Sequence, residues 1–264
     1  MKVSTDKMLA EVDGHIGWMT FNNPEKRNAL SHEMRAAALE ILDAFEKDER
    51  VRVVILRGAG DHAFISGADI NQFDKGEKGE EQRRQQSNIS DELRQRYDHY
   101  SKPIIAMIHG YCLGGGLLTA MAVDIRIASD DAQFGIPAGR LGVAYPMYGL
   151  RKLIDLVGPA KAKEIMFSAG RFGAAEALRI GLVNQVVPRA ELENSVRKLA
   201  ANICENAPLS MRAAKVVIDE LMKDESARDI AACEAVAAAC MTSEDFKEGR
   251  RAFAEKRKPV FTGK

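Results

Sequence analysis

Two short, mainly apolar segments, at residues 51–56 and 103–109, most strongly restrict the folds open to this chain. Each has the length of one β-strand, and strands that are apolar on both faces are typical of parallel sheets covered by helices. Helical periods precede them at residues 34–45 and 80–97, the first of them after Ser31 as a capping residue. This alternation predicts an α/β fold in which crossover helices join parallel strands.

The two ends of the chain predict different structures. Near the start, Asp13-Gly14 suits the positive φ angles of a tight hairpin turn, whereas from Leu192 onward every strong period is helical. We therefore predict an α/β core at residues 1–188 and a C-terminal helical subdomain at residues 189–264. The other predicted elements are hairpin strands at 8–12 and 16–21, a short helix from Gly115, strands at 124–128 and 133–134, and helices at 207–222 and 226–240.

The charge balance favours a small-molecule partner. Lys and Arg number 38 and Asp and Glu also number 38, so no net field would attract nucleic acid or an anionic membrane. The four cysteines form no CxxC pair or zinc-ligand cluster, which argues against a metal site. No apolar run approaches the roughly 20 residues of a membrane-spanning helix. The first residues lack the pattern of a targeting peptide, so we expect a cytoplasmic protein.

The first segment with chemical potential is GAGDHAFISGAD, at residues 58–69, directly after a predicted strand. Its Gly58-x-Gly60 spacing loosely matches a dinucleotide-binding fingerprint, in which glycines let a pyrophosphate approach the start of a helix. Phe64, Ile65 and Gly67 would interrupt such a helix where it should begin. A nicotinamide-dependent dehydrogenase is therefore one alternative, and a plain turn is another.

The second segment is HGYCLGGGLLTA, at residues 109–120, which joins a buried strand to an apolar helix through three consecutive glycines. Glycines cost conformational entropy, so three in a row need a reason. They suit a backbone that must approach a ligand and direct amide hydrogens at it from the positive end of a helix. The alternative is a crowded junction between strand and helix. For His109 itself, a structural role at the strand end is favoured over catalysis.

These segments form part of an ordered set that is spread along much of the chain. The set comprises NNPEKRNAL at 22–30, AFISGADI at 63–70, KPIIAMIHGYCLGGG at 102–116, DIRIAS at 124–129, AQFGIP at 132–137 and EALRIGLVNQVV at 176–187. In this order they resemble the crotonase (enoyl-CoA hydratase/isomerase) superfamily. The resemblance extends from about residue 14 to residue 258.

The resemblance implies a fold, an assembly and a substrate class. The fold is α/β, a crotonase-like spiral of ββα units with a C-terminal helical subdomain, and the assembly is a homotrimer or a dimer of trimers. The substrate is an acyl-CoA thioester, so coenzyme A is part of the substrate and no separate cofactor is expected.

The resemblance also assigns residues. In the family, the amides of the alanine in the GAD segment and of the middle glycine of the triplet form an oxyanion hole; these are Ala68 and Gly115. Basic side chains suit the phosphates of coenzyme A, although a solvated loop pair is the alternative for the two loop cations. The residues expected beside coenzyme A are Lys26, Arg27, Ala29, Ser66, Asp69, Ile70 and, from the basic tail of a neighbouring subunit, Lys256.

This sequence departs from the hydratases of the family at the residues that transfer protons. Their two glutamates are replaced by Leu118 and Ala138, and a carboxylate position used by some isomerases is Pro146. Leucine and alanine can neither take nor deliver a proton. The other residues expected to line the acyl pocket are Arg140, Tyr145 and Tyr148, none of which is a good base at neutral pH.

We therefore expect an acyl-CoA-binding enzyme similar to enoyl-CoA hydratases and isomerases, which stabilises a thioester enolate but lacks the usual pair of glutamates. A non-catalytic acyl-CoA binding or carrier protein is the alternative. It would retain the oxyanion hole without proton transfer.

Overall fold

The computed structural model describes residues 1–69 and 80–264. The chain divides into two compact units, one of Met1–Tyr100 and Ile104–Val196, the other of Ser101–Pro103 and Arg197–Lys264. The domain boundary near Pro188 stays a prediction.

The strands are β1 (Met8–Asp13), β2 (Ile16–Phe21), β3 (Val53–Gly58), β4 (Ala63–Ile65), β5 (Ile104–Ile108), β6 (Tyr111–Leu113), β7 (Ile125–Ser129), β8 (Gln133–Gly135), β9 (Arg171–Gly173) and β10 (Gln185–Val187). The helices are α1 (His32–Lys47), α2 (Glu80–Asp98), α3 (Gly115–Met121), α4 (Met147–Ser168), α5 (Ala174–Arg179), α6 (Leu192–Cys204), α7 (Pro208–Leu221), α8 (Ile230–Thr242) and α9 (Glu244–Glu255).

The larger sheet has the strand order β1-β2-β3-β5-β7-β10. Strands β1 and β2 pair in antiparallel fashion around a turn in which Gly14 has a φ of 59°, which confirms the predicted hairpin. The remaining neighbours are all parallel. The apolar runs that predicted buried parallel strands become β3 and β5, adjacent in the centre of this sheet. The α/β fold class is thereby confirmed.

Helix α1 covers this sheet with one apolar face. The Ser31 side chain accepts a hydrogen bond from the Met34 amide at 3.3 Å, as expected for an N-cap residue. The buried side chains of the helix recur every three or four residues: Met34, Ala37, Ala38, Ile41, Leu42 and Phe45. This face joins the central hydrophobic core, so the hydrophobic effect rather than helix propensity holds α1 in place.

A second, four-stranded sheet has the order β4-β6-β8-β9, and of its strands the sequence predicted only β8. The presence of this second sheet decides against the dinucleotide-binding alternative. Strand β4 follows β3 at the place where a dinucleotide-binding fold requires a helix. The two sheets meet at Gly110, whose φ is 53° and where an added Cβ would lie 2.1 Å from the His62 carbonyl oxygen. Only glycine can occupy such a position without displacing the backbone.

The second unit is helical. Helix α8 begins at Ile230, four residues later than predicted, because a short 3-10 turn precedes it and Asp229 caps the Ala232 amide at 2.9 Å. After α9 the chain returns along its own helices, and the Asp245 carboxylate accepts hydrogen bonds from the amides of Thr262 and Gly263. Among the described residues no helix is long and apolar enough to cross a membrane.

A buried arginine anchors the far end of α3. The Arg126 guanidinium is 5 % exposed and donates to the carbonyl oxygens of Leu182 at 2.9 Å, Val123 at 2.7 Å and Ala120 at 3.4 Å. Burial lowers its pKa to about 10, so the group stays charged at neutral pH. A cation suits this position because the last carbonyls of a helix lack amide partners and carry partial negative charge.

Replacing this arginine should destabilise the fold. We expect Arg126→Met to lower the free energy of unfolding by roughly 2–5 kcal/mol, because it leaves buried carbonyl groups without a donor. Urea denaturation at constant m-value measures the effect. The matched control is Arg179→Met, since Arg179 is exposed and pairs with Glu176 at the surface, and it should change little. Equal midpoints for the two variants would contradict this role of Arg126.

Candidate functional site

The three glycines that follow β6, of which the last two begin α3, each have a different structural reason. Gly114 has a φ of 50° and precedes the first helical residue. An added Cβ at Gly116 would lie 2.1 Å from the Ile65 carbonyl oxygen, so the start of α3 is in backbone contact with β4. At Gly115 the nearest atom to an added Cβ would be the Ala68 amide nitrogen, at 3.4 Å. The glycine loop therefore lies directly against the GAD segment.

Ala68 lies in a segment that is already hydrogen-bonded along one edge, to Leu30. It forms an isolated parallel bridge with Leu30, in which the Leu30 amide donates to the Gly67 carbonyl at 2.8 Å and the Asp69 amide donates to the Leu30 carbonyl at 3.0 Å. The N–H of the residue between these two bonds points away from Leu30. Among the described residues, the Ala68 amide donates no backbone hydrogen bond. It is therefore available to a ligand.

The Gly115 amide is available for a similar reason. It is the first amide of α3, and the first amides of a helix have no partner within the helix. These amides also carry the partial positive charge of the helix start. The neighbouring amides of Ala68 and Gly115 can thus bind one carbonyl oxygen and stabilise the negative charge that it gains during reaction.

A buried asparagine, not singled out from the sequence, shapes the loop beside this site. The Asn28 side chain is fully buried and bonds three backbone groups, accepting from the Asn23 amide and donating to the carbonyls of Ala59 and Ala63. Arg27 and Asn28 are both left-handed, with φ values of 51° and 56°. Asparagine tolerates this conformation better than most residues, and that preference was the only signal in the sequence.

Five of the residues expected beside coenzyme A lie together at this loop. The Lys26 ammonium lies 3.3 Å from the Asp69 carboxylate and remains half exposed. The Ser66 amide donates to the Arg27 carbonyl at 3.1 Å, and the Ser66 hydroxyl lies 3.4 Å from the Lys26 carbonyl. Ala29 is half-buried beside them. Ile70 lies outside the described residues.

Two guanidinium groups share one aromatic ring near the glycine loop. The guanidinium carbon of Arg27 lies 5.4 Å from the centroid of the Tyr111 ring, and that of Arg171 lies 5.1 Å from it. Both distances are within the range of cation–π attraction. Arg171 was not singled out from the sequence, because β9 lies sixty positions along the chain from Tyr111. The contacts add positive charge beside the Lys26 loop.

The two positions at which the family resemblance implies glutamates are apolar and at least partly buried. Leu118 packs against the core, and an added Cβ at Gly149 would lie 2.9 Å from its Cδ1 atom. Ala138 is 6 % exposed and lies in a 3-10 turn after β8. Neither side chain can transfer a proton.

The tyrosines of the predicted pocket make different contacts. The Tyr145 hydroxyl donates to the Gly114 carbonyl at 3.2 Å, and burial raises its pKa above the ordinary value of a tyrosine. The Tyr148 hydroxyl instead donates to Asp98 on α2 at 2.9 Å, and Lys152 pairs with the same carboxylate at 2.9 Å. Only Tyr145 therefore bonds the glycine loop.

The other predicted site residues lie at the surface. Arg140 and Pro146 are exposed, the first in the 3-10 turn after β8 and the second just before α4. Lys256 is exposed in the second unit, where it ends α9 in a left-handed conformation with a φ of 54°.

His109, beside the glycine loop in sequence, is used structurally. Its Nε2 atom lies 3.0 Å from the Gly60 carbonyl oxygen, a distance that fits a ring N–H donating to it. Burial and the nearby Arg189 lower its pKa to about 4, so the ring is neutral at physiological pH. A neutral ring bonded to a backbone carbonyl agrees with the structural role expected from the sequence.

Comparisons with known proteins indicate one family. Residues 11–264 match the family model described as Enoyl-CoA hydratase/isomerase. The chain is 36% identical to a short-chain-enoyl-CoA hydratase of Clostridium acetobutylicum, with 96% of each chain covered. It is 34% identical to a crotonyl-CoA hydratase of Syntrophomonas wolfei, with 98% of this chain and 99% of the relative covered.

A solved structure shows the same fold. An enoyl-CoA hydratase/carnithine racemase from Magnetospirillum magneticum superposes with a TM-score of 0.92 at 33% identity, covering 99% of this chain and 97% of that one. The sequence, the fold and the paired backbone amides thus lead to one conclusion. The chain belongs to the enoyl-CoA hydratase/isomerase family.

Proposed function

We propose that the protein is an enzyme that binds acyl-CoA thioesters and stabilises a thioester enolate between the amides of Ala68 and Gly115. The observation that carries this proposal is the closeness of the two backbone segments, since an added Cβ at Gly115 would lie 3.4 Å from the Ala68 nitrogen. A thioester oxygen bound at this place would accept both hydrogen bonds at once.

Such an arrangement favours the enolate over the thioester itself. As a proton leaves the α-carbon, or as a nucleophile adds to a conjugated acyl chain, negative charge develops on the thioester oxygen. Two amides held in place by the fold stabilise that charge without having to reorganise. The apolar side chains of Leu118 and Ala138 nearby would keep water away, which strengthens the electrostatic interaction.

Coenzyme A is proposed as part of the substrate, without a separate cofactor. The exposed cations of Lys26 and Arg27 suit its phosphates, and Ser66 and Asp69 lie on the same loop cluster. Ala29 and Ile70 are assigned to the same site by resemblance alone.

All four cysteines, which lie within the described residues, are free thiols, consistent with a reducing compartment such as the cytoplasm.

The reaction that follows enolate formation differs from hydration by two glutamates. Leu118 and Ala138 supply no proton relay, although relatives at 36% and 34% identity are named hydratases. The same apolar pair favours a second candidate, a non-catalytic acyl-CoA carrier that retains the oxyanion hole. Measurement of turnover across a panel of saturated, unsaturated and aromatic acyl-CoAs separates the two candidates.

Binding should depend on the thioester. We expect butyryl-CoA to bind more tightly than free coenzyme A or NAD, because only the thioester offers a carbonyl oxygen to Ala68 and Gly115. Isothermal titration calorimetry measures the three affinities. Equal affinities would contradict the proposed contribution of the thioester carbonyl to binding.

A pair of glycine variants sharpens this test. Gly115→Ala places a methyl group beside the Ala68 amide and should abolish the preference for butyryl-CoA over free coenzyme A. Gly173→Ala is the matched control, because its nearest neighbour would be the Gln133 side chain at an ordinary 3.6 Å. It should retain the preference.

Hydration of crotonyl-CoA should be slow. A positioned acid or base typically contributes about 10²- to 10⁴-fold in rate, and both customary carboxylates are missing. The loss of absorbance of the conjugated thioester measures the rate. Turnover at about hundreds per second, near the upper part of the usual enzyme range, would contradict this reading of Leu118 and Ala138.

Restoring both carboxylates tests the reason for the slow rate. Leu118→Glu combined with Ala138→Glu should raise hydration, whereas either change alone should do little because each supplies half of a relay. Thermal unfolding of each variant accompanies the rates, because a carboxylate introduced at a buried position stays protonated or destabilises the fold.

Assembly is proposed as a homotrimer or a dimer of trimers. The second unit exposes many large apolar side chains, and α8, all of whose residues the structure describes, has no buried residue. Surfaces of this kind are usually covered by a partner. The exposed large apolar side chains of this unit are Ile218, Leu221, Met222, Ile230, Met241, Phe246, Phe253 and Val260.

Light scattering should therefore report a trimer or hexamer. In that assembly, we expect the basic tail near Lys256 to reach the coenzyme A phosphate of a neighbouring subunit. The substitution Lys256→Gln should then weaken binding of free coenzyme A while leaving the mass unchanged. A stable monomer with full affinity would contradict both the assembly and the shared site.

A further inference from the structure

The Tyr145 hydroxyl bonds the peptide unit that supplies one of the two oxyanion-hole donors. The Gly114 carbonyl and the Gly115 amide belong to one peptide group, so they share one plane and one set of resonance forms. That carbonyl accepts two hydrogen bonds, from the Leu118 amide at 3.0 Å and from the Tyr145 hydroxyl at 3.2 Å. The first is an ordinary bond of the helix. The second comes from a side chain outside it.

The peptide group of the other proposed donor, Ala68, is also hydrogen-bonded at its carbonyl, but only by a backbone amide. The Ala68 amide shares its peptide group with the Gly67 carbonyl, which accepts the Leu30 amide at 2.8 Å. Both donor peptides are therefore hydrogen-bonded at the carbonyl that lies opposite the proposed ligand. The Gly115 peptide has one such bond more than the Ala68 peptide, and Tyr145 supplies it.

The position of the tyrosine ring is set by a glycine in α4. An added Cβ at Gly149 would lie 2.5 Å from Cε1 of Tyr145 and 2.9 Å from Cδ1 of Leu118. The absence of a side chain at Gly149 thus lets the ring pack closely against the helix. The hydroxyl stays protonated across the physiological range, because burial raises its pKa, and so it remains a donor.

A hydrogen bond at a peptide carbonyl has two effects on the N–H of the same group. It polarises the peptide, which makes the N–H a stronger donor, by about 10–30 % per bond. It also fixes the peptide plane, which keeps the N–H aimed at its acceptor. A glycine peptide gains from such support, because glycine has more backbone freedom than other residues.

We propose that Tyr145 is a positioning residue that orients and polarises the Gly114–Gly115 peptide for binding of the thioester oxygen; this inference rests on the proposed function. Tyr145 acts through the Gly115 amide. It donates its own proton to the backbone and takes no part in proton transfer to the acyl chain.

The experiment compares Tyr145→Phe with the wild-type protein. The substitution removes the hydroxyl and keeps the ring that packs against Gly149. The readout is the carbonyl stretching frequency of bound butyryl-CoA with an isotope-labelled thioester carbonyl, measured by difference infrared spectroscopy. Hydrogen bonding lowers this frequency. We expect the lowering to shrink by roughly 10–30 % in the variant, while the affinity for free coenzyme A stays the same.

The matched control is Tyr100→Phe. The Tyr100 hydroxyl is also buried and donates to a backbone carbonyl, that of Leu42, at the same distance of 3.2 Å, but in α1. Both variants lose one bond of the same kind and should lose similar stability. Only Tyr145→Phe should change the carbonyl frequency. An equal change in both variants, or none in either, would overturn the proposal.

A second variant moves the hydroxyl without removing it. Gly149→Ala introduces a methyl group that displaces the tyrosine ring, and alanine favours the helix in which it lies. We expect the same reduced lowering of the frequency, so this variant decides the question if Tyr145→Phe does not fold. An unchanged frequency in Gly149→Ala would overturn the proposal. A wild-type protein that leaves the frequency of free butyryl-CoA unchanged would instead refute the proposed function.

Discussion

The site depends on the close approach of two backbone segments without an intervening side chain. Gly116 lies so near the Ile65 carbonyl that an added Cβ would be 2.1 Å from its oxygen. This contact sets the start of α3 against the segment after β4, and the amides of Gly115 and Ala68 become neighbours as a result. A larger residue at Gly116 would separate the two segments and with them the two donors.

The electrostatics of this arrangement come from backbone dipoles rather than from charged side chains. The Gly115 amide carries the partial positive charge of the start of α3, and Arg126 binds the carbonyls at the other end of the same helix. In the proposed site, the apolar side chains of Leu118 and Ala138 would give the two donors surroundings of low dielectric constant, where their effect is largest. Lys26 and Arg27, the cations proposed for the coenzyme A phosphates, are instead exposed to water.

Features set by neighbouring residues could be predicted from the sequence, and features set by distant pairing could not. The hairpin around Gly14, the Ser31 cap and the helix start at Gly115 follow from local preferences, and the structure has all three. The second sheet was mostly missed, because strands of three residues carry almost no periodicity. The bonds from Asn28 to Ala59 and Ala63 and from Tyr145 to Gly114 could not be foreseen either, because each joins segments far apart in the chain.

The bridge between Leu30 and Ala68 links the two ends of the proposed substrate through the protein. Leu30 is bonded to both Gly67 and Asp69, and it lies four residues after Lys26 in the sequence. Energy released by the proposed binding of the nucleotide at this loop can therefore help to hold the Ala68 amide in place against the acyl group. Enzymes commonly use binding energy from a remote part of the substrate in this way. Thioesters that lack the nucleotide part of coenzyme A would not receive that contribution. In the proposed reaction they would therefore react more slowly even when they saturate the site.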